Sequence, residues 1–139
     1  MPRDIAPGEA LLKEIFGYDA FRPGQGEIVD AVAQGENVLA IMPTGGGKSL
    51  CYQLPALMRG GVTVVISPLI ALMRDQVRGL REAGVAAGAL TSGNTQEETD
   101  AVWDMLSQGM LKLLYLAPER LASGARYSSL SMPCESMSQ

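Results

Sequence analysis

The sequence predicts an α/β domain in which a parallel β-sheet is flanked by helices. Short apolar segments alternate with segments of helical periodicity, a pattern typical of layered α/β domains with right-handed crossovers. The segment 62–66 shows almost no alternation of polar and apolar residues, which indicates a strand buried on both faces of a parallel sheet. A glycine-rich loop at 45–47 lies between a predicted strand and a predicted helix.

The individual elements follow from apolar spacing and from the residues that start or stop helices. The predicted helices are 8–18, 21–34, 49–58, 68–83 and 95–108. The predicted strands are 37–41, 62–66, 85–90 and 112–117. Thr95 and Glu98 have the spacing of a capping box, in which each side chain bonds the other residue's free backbone N–H.

Composition favours a cytoplasmic globular protein. The 139 residues are 47% hydrophobic with a net charge of −4, whereas dedicated nucleic-acid-binding domains are usually basic. Cys51 and Cys134 are the only cysteines and histidine is absent, so no metal-ligand spacing occurs and both thiols are expected to be reduced. The N-terminus lacks an apolar signal segment, and no apolar run approaches the ~20 residues of a membrane span.

The strongest chemical signal is the loop MPTGGGKS at 42–49. Triphosphate binding needs inward-pointing backbone N–H groups without side-chain bulk, and consecutive glycines provide both. Lys48 is predicted to reach the β- and γ-phosphates of a nucleotide, and the Ser49 hydroxyl is predicted to hold Mg²⁺. The strict motif has a glycine where this chain has Met42. The alternative interpretation is a glycine-rich turn with a surface lysine.

MPTGGGKSLCYQLPAL at 42–57 closely resembles the first motif of RecQ helicases. These belong to helicase superfamily two, where the leading glycine is commonly replaced, as it is here. The resemblance covers about 9–121, with several motifs in the same order, and implies a RecA-like P-loop NTPase lobe. The nucleotide contacts that it implies for this loop are Met42, Pro43, Thr44, Gly45, Gly46, Gly47, Lys48 and Ser49.

FGYDAFRPGQGEIV at 16–29 resembles the adenine-recognition motif of the same family. The resemblance implies that Gln25 bonds the adenine edge, that Arg22 helps to hold the base and that Tyr18 packs against it. An amide has both donors and an acceptor for adenine, and an aromatic ring suits the face of a base. The alternative is that the aromatic residues of this segment only close a helical hairpin over the core.

Two further segments, 64–77 and 113–121, resemble motifs Ia and Ib, which contact the backbone of single-stranded DNA in relatives. Hydroxyl groups and free N–H groups at a helix start suit phosphate oxygens. Ser67 can also cap the following helix, and Arg120 can instead be a solvated charge or part of an ion pair. Segment 90–98 is assigned no role beyond helix capping. The implied DNA contacts are Ser67, Pro68, Leu69, Pro118, Glu119 and Arg120.

The resemblance implies an ATP-dependent 3′–5′ DNA helicase that acts in DNA repair and recombination. Its cofactors are ATP and Mg²⁺, and its partner is single-stranded or partly duplex DNA. After Leu121 the family has a strand ending in Asp-Glu-Ala-His, whereas this sequence is rich in serine. A frameshift near Gly124 or a divergent tail would explain the difference. We expect an N-terminal tail at 1–8, a partial ATP-binding domain at 9–121 and a divergent or frameshifted tail at 122–139.

Without that motif and the second motor lobe, the chain is expected to be inactive alone. The alternatives are a non-hydrolysing nucleotide-binding module and the non-functional product of a damaged gene. An unrelated P-loop kinase is disfavoured, because the apolar segment ISPLIALM supplies neither a lid nor charges for a substrate. The sequence carries no prediction of oligomeric state.

Overall fold

The computed structural model describes residues 8–42, 47–122 and 136–138. The chain divides into two compact units, Met1–Gly60 and Gly61–Gln139. The described part of the first unit contains α1 (Gly8–Phe16), α2 (Gln25–Ala33) and α3 (Leu50–Met58). The second unit contains, in order, β1 (Thr63–Ile66), α4 (Ile70–Glu82), β2 (Ala87–Leu90), α5 (Gln96–Ser107), β3 (Leu113–Leu116), α6 (Pro118–Ala122) and β4 (Ser136–Ser138).

The helices of the first unit share an apolar core. Leu12 from α1, Val29 from α2 and Leu54 from α3 are fully buried together in one cluster. The three helices predicted for this unit are confirmed, with shifts at their ends. The second begins at Gln25 because its N-cap, Gly24, has a φ of 84°, which lies outside the range of a right-handed helix.

The prediction of a strand at 37–41 is wrong. Residues 37–42 have no regular secondary structure, and the side chains of Leu39 and Ile41 are 89% and 91% exposed. A strand needs hydrogen-bond partners on a neighbouring strand, and no strand in the described part of the chain pairs with this segment. The apolar residues of the segment therefore reflect β-propensity, whereas strand formation depends on a partner.

The second unit contains a parallel sheet in the order β2-β3-β1-β4. Strand β3 lies between β1 and β2, and all four of its residues are buried, which explains its unbroken apolar sequence. The predicted fold class, a parallel sheet flanked by helices, is confirmed. Strand β4 lies in the serine-rich segment, where no strand was expected, and it pairs with β1.

Helices α4 and α5 lie on opposite faces of this sheet. In the order of strands across the sheet, the crossover from β1 to β2 moves two positions, past β3. The crossover from β2 to β3 then moves one position in the opposite direction. Since parallel crossovers are right-handed, this change of direction places the two helices on opposite faces. Helix α5 packs so closely on β2 that a Cβ on Gly88 of the strand would lie 3.0 Å from Cγ2 of Val102 on the helix.

Two smaller expectations can be compared with the structure. Thr95 is the N-cap of α5, and its hydroxyl accepts a hydrogen bond from the backbone N–H of Glu98 at 3.1 Å, which is one of the two bonds that the capping-box spacing predicts. Within the ranges that the structure describes, no helix combines the length and the hydrophobicity needed to cross a membrane.

Replacing both Leu39 and Ile41 by lysine should reduce aggregation without a loss of stability. Both side chains are exposed, so the free energy of unfolding should change by less than about 0.5 kcal/mol. Exposed apolar segments with β-propensity promote self-association, and charged residues suppress it. Urea unfolding and light scattering of concentrated protein measure the two effects.

The control variant is Leu54→Lys, which places a charge at a fully buried position and should unfold the first unit. Unchanged light scattering by the double variant would show that self-association does not involve residues 37–41.

Candidate functional site

Gln25 occupies the centre of the first candidate site. It is the first residue of α2 and is 3% exposed. Its Oε1 accepts a hydrogen bond from the backbone N–H of Arg22 at 2.8 Å, and its Nε2 donates to the carbonyl oxygen of Gly47 at 3.2 Å. Because one partner can only donate and the other can only accept, they define the orientation of the amide.

The amide of Gln25 keeps hydrogen-bonding capacity for a ligand. A glutamine amide has two N–H donors and an oxygen with two acceptor positions. The bonds to Arg22 and Gly47 use one of each, so that one donor and one acceptor remain. Adenine presents N7 as an acceptor and its 6-amino group as a donor. The remaining groups of Gln25 are therefore complementary to adenine.

Gly47 connects the predicted phosphate loop to Gln25. Its φ is 80°, a conformation that favours glycine, and a Cβ at this position would collide with Nε2 of Gln25. Its carbonyl oxygen is also 3.7 Å from the Sγ of Cys51, which donates to it. One residue before the loop and one residue after it therefore hold the same carbonyl group.

Cys51, which sequence analysis treated only as a reduced thiol, lies against this loop. Its Sγ is 3.9 Å from the Sδ of Met42, and the residue is 2% exposed. Burial raises the pKa of the Cys51 thiol, so that the thiol stays protonated at neutral pH and can donate to Gly47. No group of potential metal ligands occurs in the described ranges.

A cavity of about 260 Å³ brings the residues of the predicted adenine site together. This volume lies just below the ~300–1,000 Å³ of typical ligand pockets, which fits part of a nucleotide. Gln53 of α3 also lines the cavity and is buried, although sequence analysis assigned it no role. The complete lining is Phe16, Tyr18, Ala20, Arg22, Gln25, Gly47, Ser49, Leu50 and Gln53.

The predicted phosphate contacts are only partly described. Ser49 is the N-cap of α3 and lines the cavity, and Lys48 next to it is exposed. The helix predicted after the loop is present, and a helix N-terminus carries partial positive charge that favours phosphate. The strand predicted before the loop is absent, as described above. Outside the described residues lie Pro43, Thr44, Gly45 and Gly46.

The predicted DNA contacts lie in the second unit, after the ends of β1 and β3. Parallel strands end on one edge of a sheet, and ligands of α/β proteins commonly bind outside that edge. The backbone N–H of Ser67 donates to the carbonyl oxygen of Leu116 at 3.0 Å, which joins the ends of the two strands. The two predicted contact segments, 67–69 and 118–120, therefore belong to one edge of the sheet.

Ser67 stabilises the turn that precedes α4. Its hydroxyl oxygen accepts a hydrogen bond from the backbone N–H of Leu69 at 3.2 Å. This is the capping role that the sequence left open. A hydroxyl that accepts one bond can still donate another, and Ser67 itself is 3% exposed. Pro68 and Leu69 are exposed at the same turn.

Arg120 bonds to the loop that follows β2. Its Nη2 donates to the carbonyl oxygen of Thr91 at 2.9 Å, while Pro118 and Glu119 of the same short helix are exposed. The loop has further internal bonds, since the Thr91 hydroxyl accepts from Gly93 N–H at 3.2 Å. Sequence analysis assigned this loop only a capping role, and the bond to Arg120, 29 residues away, is a finding of the structure.

A protein-family model described as DEAD/DEAH box helicase matches residues 22–133. The chain therefore belongs to the DEAD/DEAH box helicase family. The resemblance to RecQ helicases is confirmed as well, because the chain is 47% identical over 122 residues to the ATP-dependent DNA helicase RecQ of Haemophilus influenzae. That match covers 88% of this chain and 20% of the relative.

Two other relatives extend this finding. The chain is 50% identical over 116 residues to the ATP-dependent DNA helicase RecQ of Bacillus subtilis, covering 83% of this chain and 20% of that protein. It is 45% identical over 116 residues to the ATP-dependent helicase SGS1 of Saccharomyces cerevisiae, and this match covers 81% of this chain and 8% of that protein. The chain thus spans about a fifth of the length of the two bacterial relatives, and less of the yeast protein.

The fold is similar to that of a solved helicase. The crystal structure of the DUF1998 helicase MrfA bound to DNA matches with a TM-score of 0.69 and 22% sequence identity. The match covers 89% of this chain and 18% of that chain. At this level of identity the similarity supports the helicase fold and not the individual site residues.

Gly47→Ala should destabilise the first unit more than Gly17→Ala does. Both glycines have positive φ angles, 80° and 76°, and this conformation costs a non-glycine residue about 1–2 kcal/mol. At Gly47 the added methyl group also collides with Gln25, whereas nothing lies within 4 Å of a Cβ at Gly17. Urea unfolding of the two variants measures the difference. Equal losses of stability would show that Gln25 does not closely contact the loop.

Proposed function

We propose that this chain is the nucleotide-binding part of a RecQ-type, ATP-dependent 3′–5′ DNA helicase, and that its first unit binds ATP with Mg²⁺. The observation that carries the proposal is the Gln25 amide, which bonds Gly47 of the phosphate loop and keeps one donor and one acceptor for adenine. Membership of the helicase family supports it, as do the names of the relatives, which describe ATP-dependent DNA helicases.

The adenine base would occupy the cavity of about 260 Å³ in the first unit. Gln25 would pair with the edge of the base, and Arg22 would help to hold it. Tyr18 lines the same cavity and is 58% exposed, so its ring is available to cover a face of the base.

The phosphates would lie at the N-terminus of α3. Gly47 has a positive φ that favours glycine, which fits a glycine-rich loop whose backbone N–H groups approach phosphate oxygens. Lys48 is exposed beside it and would bind the β- and γ-phosphates, and the Ser49 hydroxyl would hold Mg²⁺. The ion would supply positive charge that offsets the charge of the phosphate oxygens.

The second unit would bind the backbone of single-stranded DNA at the edge where its strands end. The segments 67–69 and 118–120 share this edge, and backbone and hydroxyl contacts to phosphate do not depend on base sequence. A helicase must move along strands of any sequence, so such contacts suit it. Roles in DNA repair and recombination would follow from the same family resemblance.

By itself, the chain would bind a nucleotide without useful hydrolysis. The sequence contains no Asp-Glu-Ala-His segment, so the carboxylates that would position the metal ion and the water are missing. An arginine finger from a second lobe contributes about 10³–10⁵ to the rate of phosphoryl transfer. A non-hydrolysing nucleotide-binding module is the second candidate, because Gln25 and the cavity lie entirely within the first unit.

Lys48→Ala should weaken the binding of a fluorescent ATP analogue about 10- to 100-fold. Hydrogen bonds to charged groups contribute about 1.5–3 kcal/mol, and 1.4 kcal/mol corresponds to tenfold in affinity. The matched control is Lys13→Ala, which removes an exposed lysine from α1. Fluorescence titration in the presence of Mg²⁺ gives both affinities. Unchanged affinity in Lys48→Ala would refute the phosphate role of this lysine.

The same titration with a GTP analogue separates the two parts of the site. Lys48→Ala should weaken both nucleotides equally, since both have the same phosphates. Gln25→Ala should weaken ATP more than GTP, because guanine carries a carbonyl group where adenine carries its amino group. Equal losses for ATP and GTP in Gln25→Ala would leave Gln25 only its bond to the loop.

The isolated chain should show no DNA-stimulated ATP hydrolysis. Release of phosphate, measured with Mg²⁺-ATP and with or without an oligothymidine strand, should remain at the rate of Lys48→Ala. A DNA-dependent rate within the range of about 1–10³ s⁻¹ that is typical of enzymes would contradict the proposal that further catalytic groups are required.

A further inference from the structure

A larger cavity, outside the sites described so far, lies along the outer edge of β2. Its volume is about 590 Å³, and its walls come from α4 and α5. Strand β2 lies at an edge of the sheet that the described residues form, and the two helices lie on opposite faces, so the cavity is a groove between them that follows the strand. We call it the edge groove. It has no part in the nucleotide or DNA sites proposed above.

The outward carbonyl groups of the edge strand are already bonded to side chains. The carbonyl oxygen of Ala86 accepts hydrogen bonds from the β3 side of the sheet. Carbonyl groups alternate in direction along a strand, so those of Ala87 and Ala89 face outward. Nε of Arg81 donates to the carbonyl of Ala87 at 2.9 Å, and Nδ2 of Asn94 donates to that of Ala89 at 2.7 Å. A ligand in the groove therefore meets the side chains of Arg81 and Asn94 at the positions of these carbonyl groups.

Three arginines on one face of α4 line the edge groove: Arg74, Arg78 and Arg81. Nη2 of Arg74 donates to the carbonyl oxygen of Gly93 at 2.6 Å, and Arg81 is held by the edge strand in the same way. Neither has an ion-pair partner among the described residues. A guanidinium group has five N–H donors, so each arginine keeps most of its donors and its full charge.

This arrangement prepares the two guanidinium groups for an anionic ligand. Neutral carbonyl groups hold them in position without offsetting their charge, which reduces the entropy lost when a carboxylate binds. Arg78 lies between them along the helix. It forms a long ion pair with Asp75, with 3.8 Å between Nη1 and Oδ1, and both side chains are 70% exposed. Such exposed pairs contribute little free energy, so a ligand can displace Asp75.

The floor of the groove is apolar and contains no aromatic ring. Val77, Val102 and Met105 provide aliphatic surface from the two helices, and base stacking on an aromatic side chain is impossible there. Glu82 and Glu98 also line the groove and would repel a nucleic acid, which carries a charge at every phosphate. A peptide carries carboxylates at only some positions, so it can place them beside the three arginines and place neutral or aliphatic side chains near the two glutamates and on the floor.

We propose that the edge groove binds a short acidic peptide segment of a partner protein. The carboxylates of the segment contact the arginines of α4, and an aliphatic side chain lies on the apolar floor. Side-chain contacts carry the affinity, because the edge carbonyls are already bonded.

The test is a titration of the full chain with a fluorescein-labelled peptide, Ser-Asp-Asp-Leu-Leu-Asp-Asp-Leu-Ser, followed by fluorescence anisotropy. Arg78→Glu should weaken binding at least about tenfold, since reversing a charge at an interface adds repulsion to the lost contact. The control Lys13→Glu makes the same change in net charge on α1 and should bind normally. Arg78 is exposed, so circular dichroism should show an unchanged fold.

Two altered peptides test the two parts of the contact. Replacing the aspartates by asparagine, or the leucines by serine, should each weaken binding at least about tenfold. Equal binding to Arg78→Glu and the unaltered chain overturns the proposal, and so does equal binding of the serine peptide. A third outcome is that the chain binds an oligothymidine strand but not the peptide, and that Arg78→Glu abolishes the binding of this strand. That result assigns the groove to nucleic acid and also overturns the proposal.

Discussion

The parallel pairing of β3 with β1 on one side and with β2 on the other organises the second unit. Because all these strands run in the same direction, they end at one edge of the sheet, where Ser67 and Arg120 lie. The reversal of direction between the two crossovers also places α4 and α5 on opposite faces. Both the proposed DNA site, where β1 and β3 end, and the edge groove beside β2 therefore follow from a single arrangement of strands.

In the first unit, the carbonyl group of Gly47 has a comparable role. It accepts hydrogen bonds from Gln25 and from Cys51, which precede and follow the glycine-rich loop. The residue implied in adenine recognition thus also contacts the loop implied in phosphate binding. Binding of the base and the conformation of the loop would depend on each other, because a change in the Gln25 amide alters both. Such coupling requires no contact beyond one side-chain hydrogen bond.

Two segments of the chain, β2 and residues 37–41, could each pair with a further strand, and their structures differ. At β2 the outward carbonyl groups are bonded by Arg81 and Asn94, so the acceptors that this edge would offer to another strand are already used. Residues 37–41 have the composition of a strand but no partner in the described part of the chain, and Leu39 and Ile41 are exposed there. Composition predicts that both segments can form strands, whereas the presence of a partner decides which of them does.

The sequence alone determined the family, the fold class and most helices. The motif order, the apolar runs of β1 and β3, and the Thr95 cap depend on residues that are close together in the chain, so local spacing is sufficient to predict them. Only the tertiary structure decided that Gln25 bonds Gly47, that Arg120 bonds Thr91, and that the segment 37–41 is not a strand. These contacts join residues 22 and 29 positions apart, or require a partner strand, and neither condition is encoded in local periodicity. The path of the chain brings such groups together, because burial of the apolar core and pairing of the strands determine which distant residues meet.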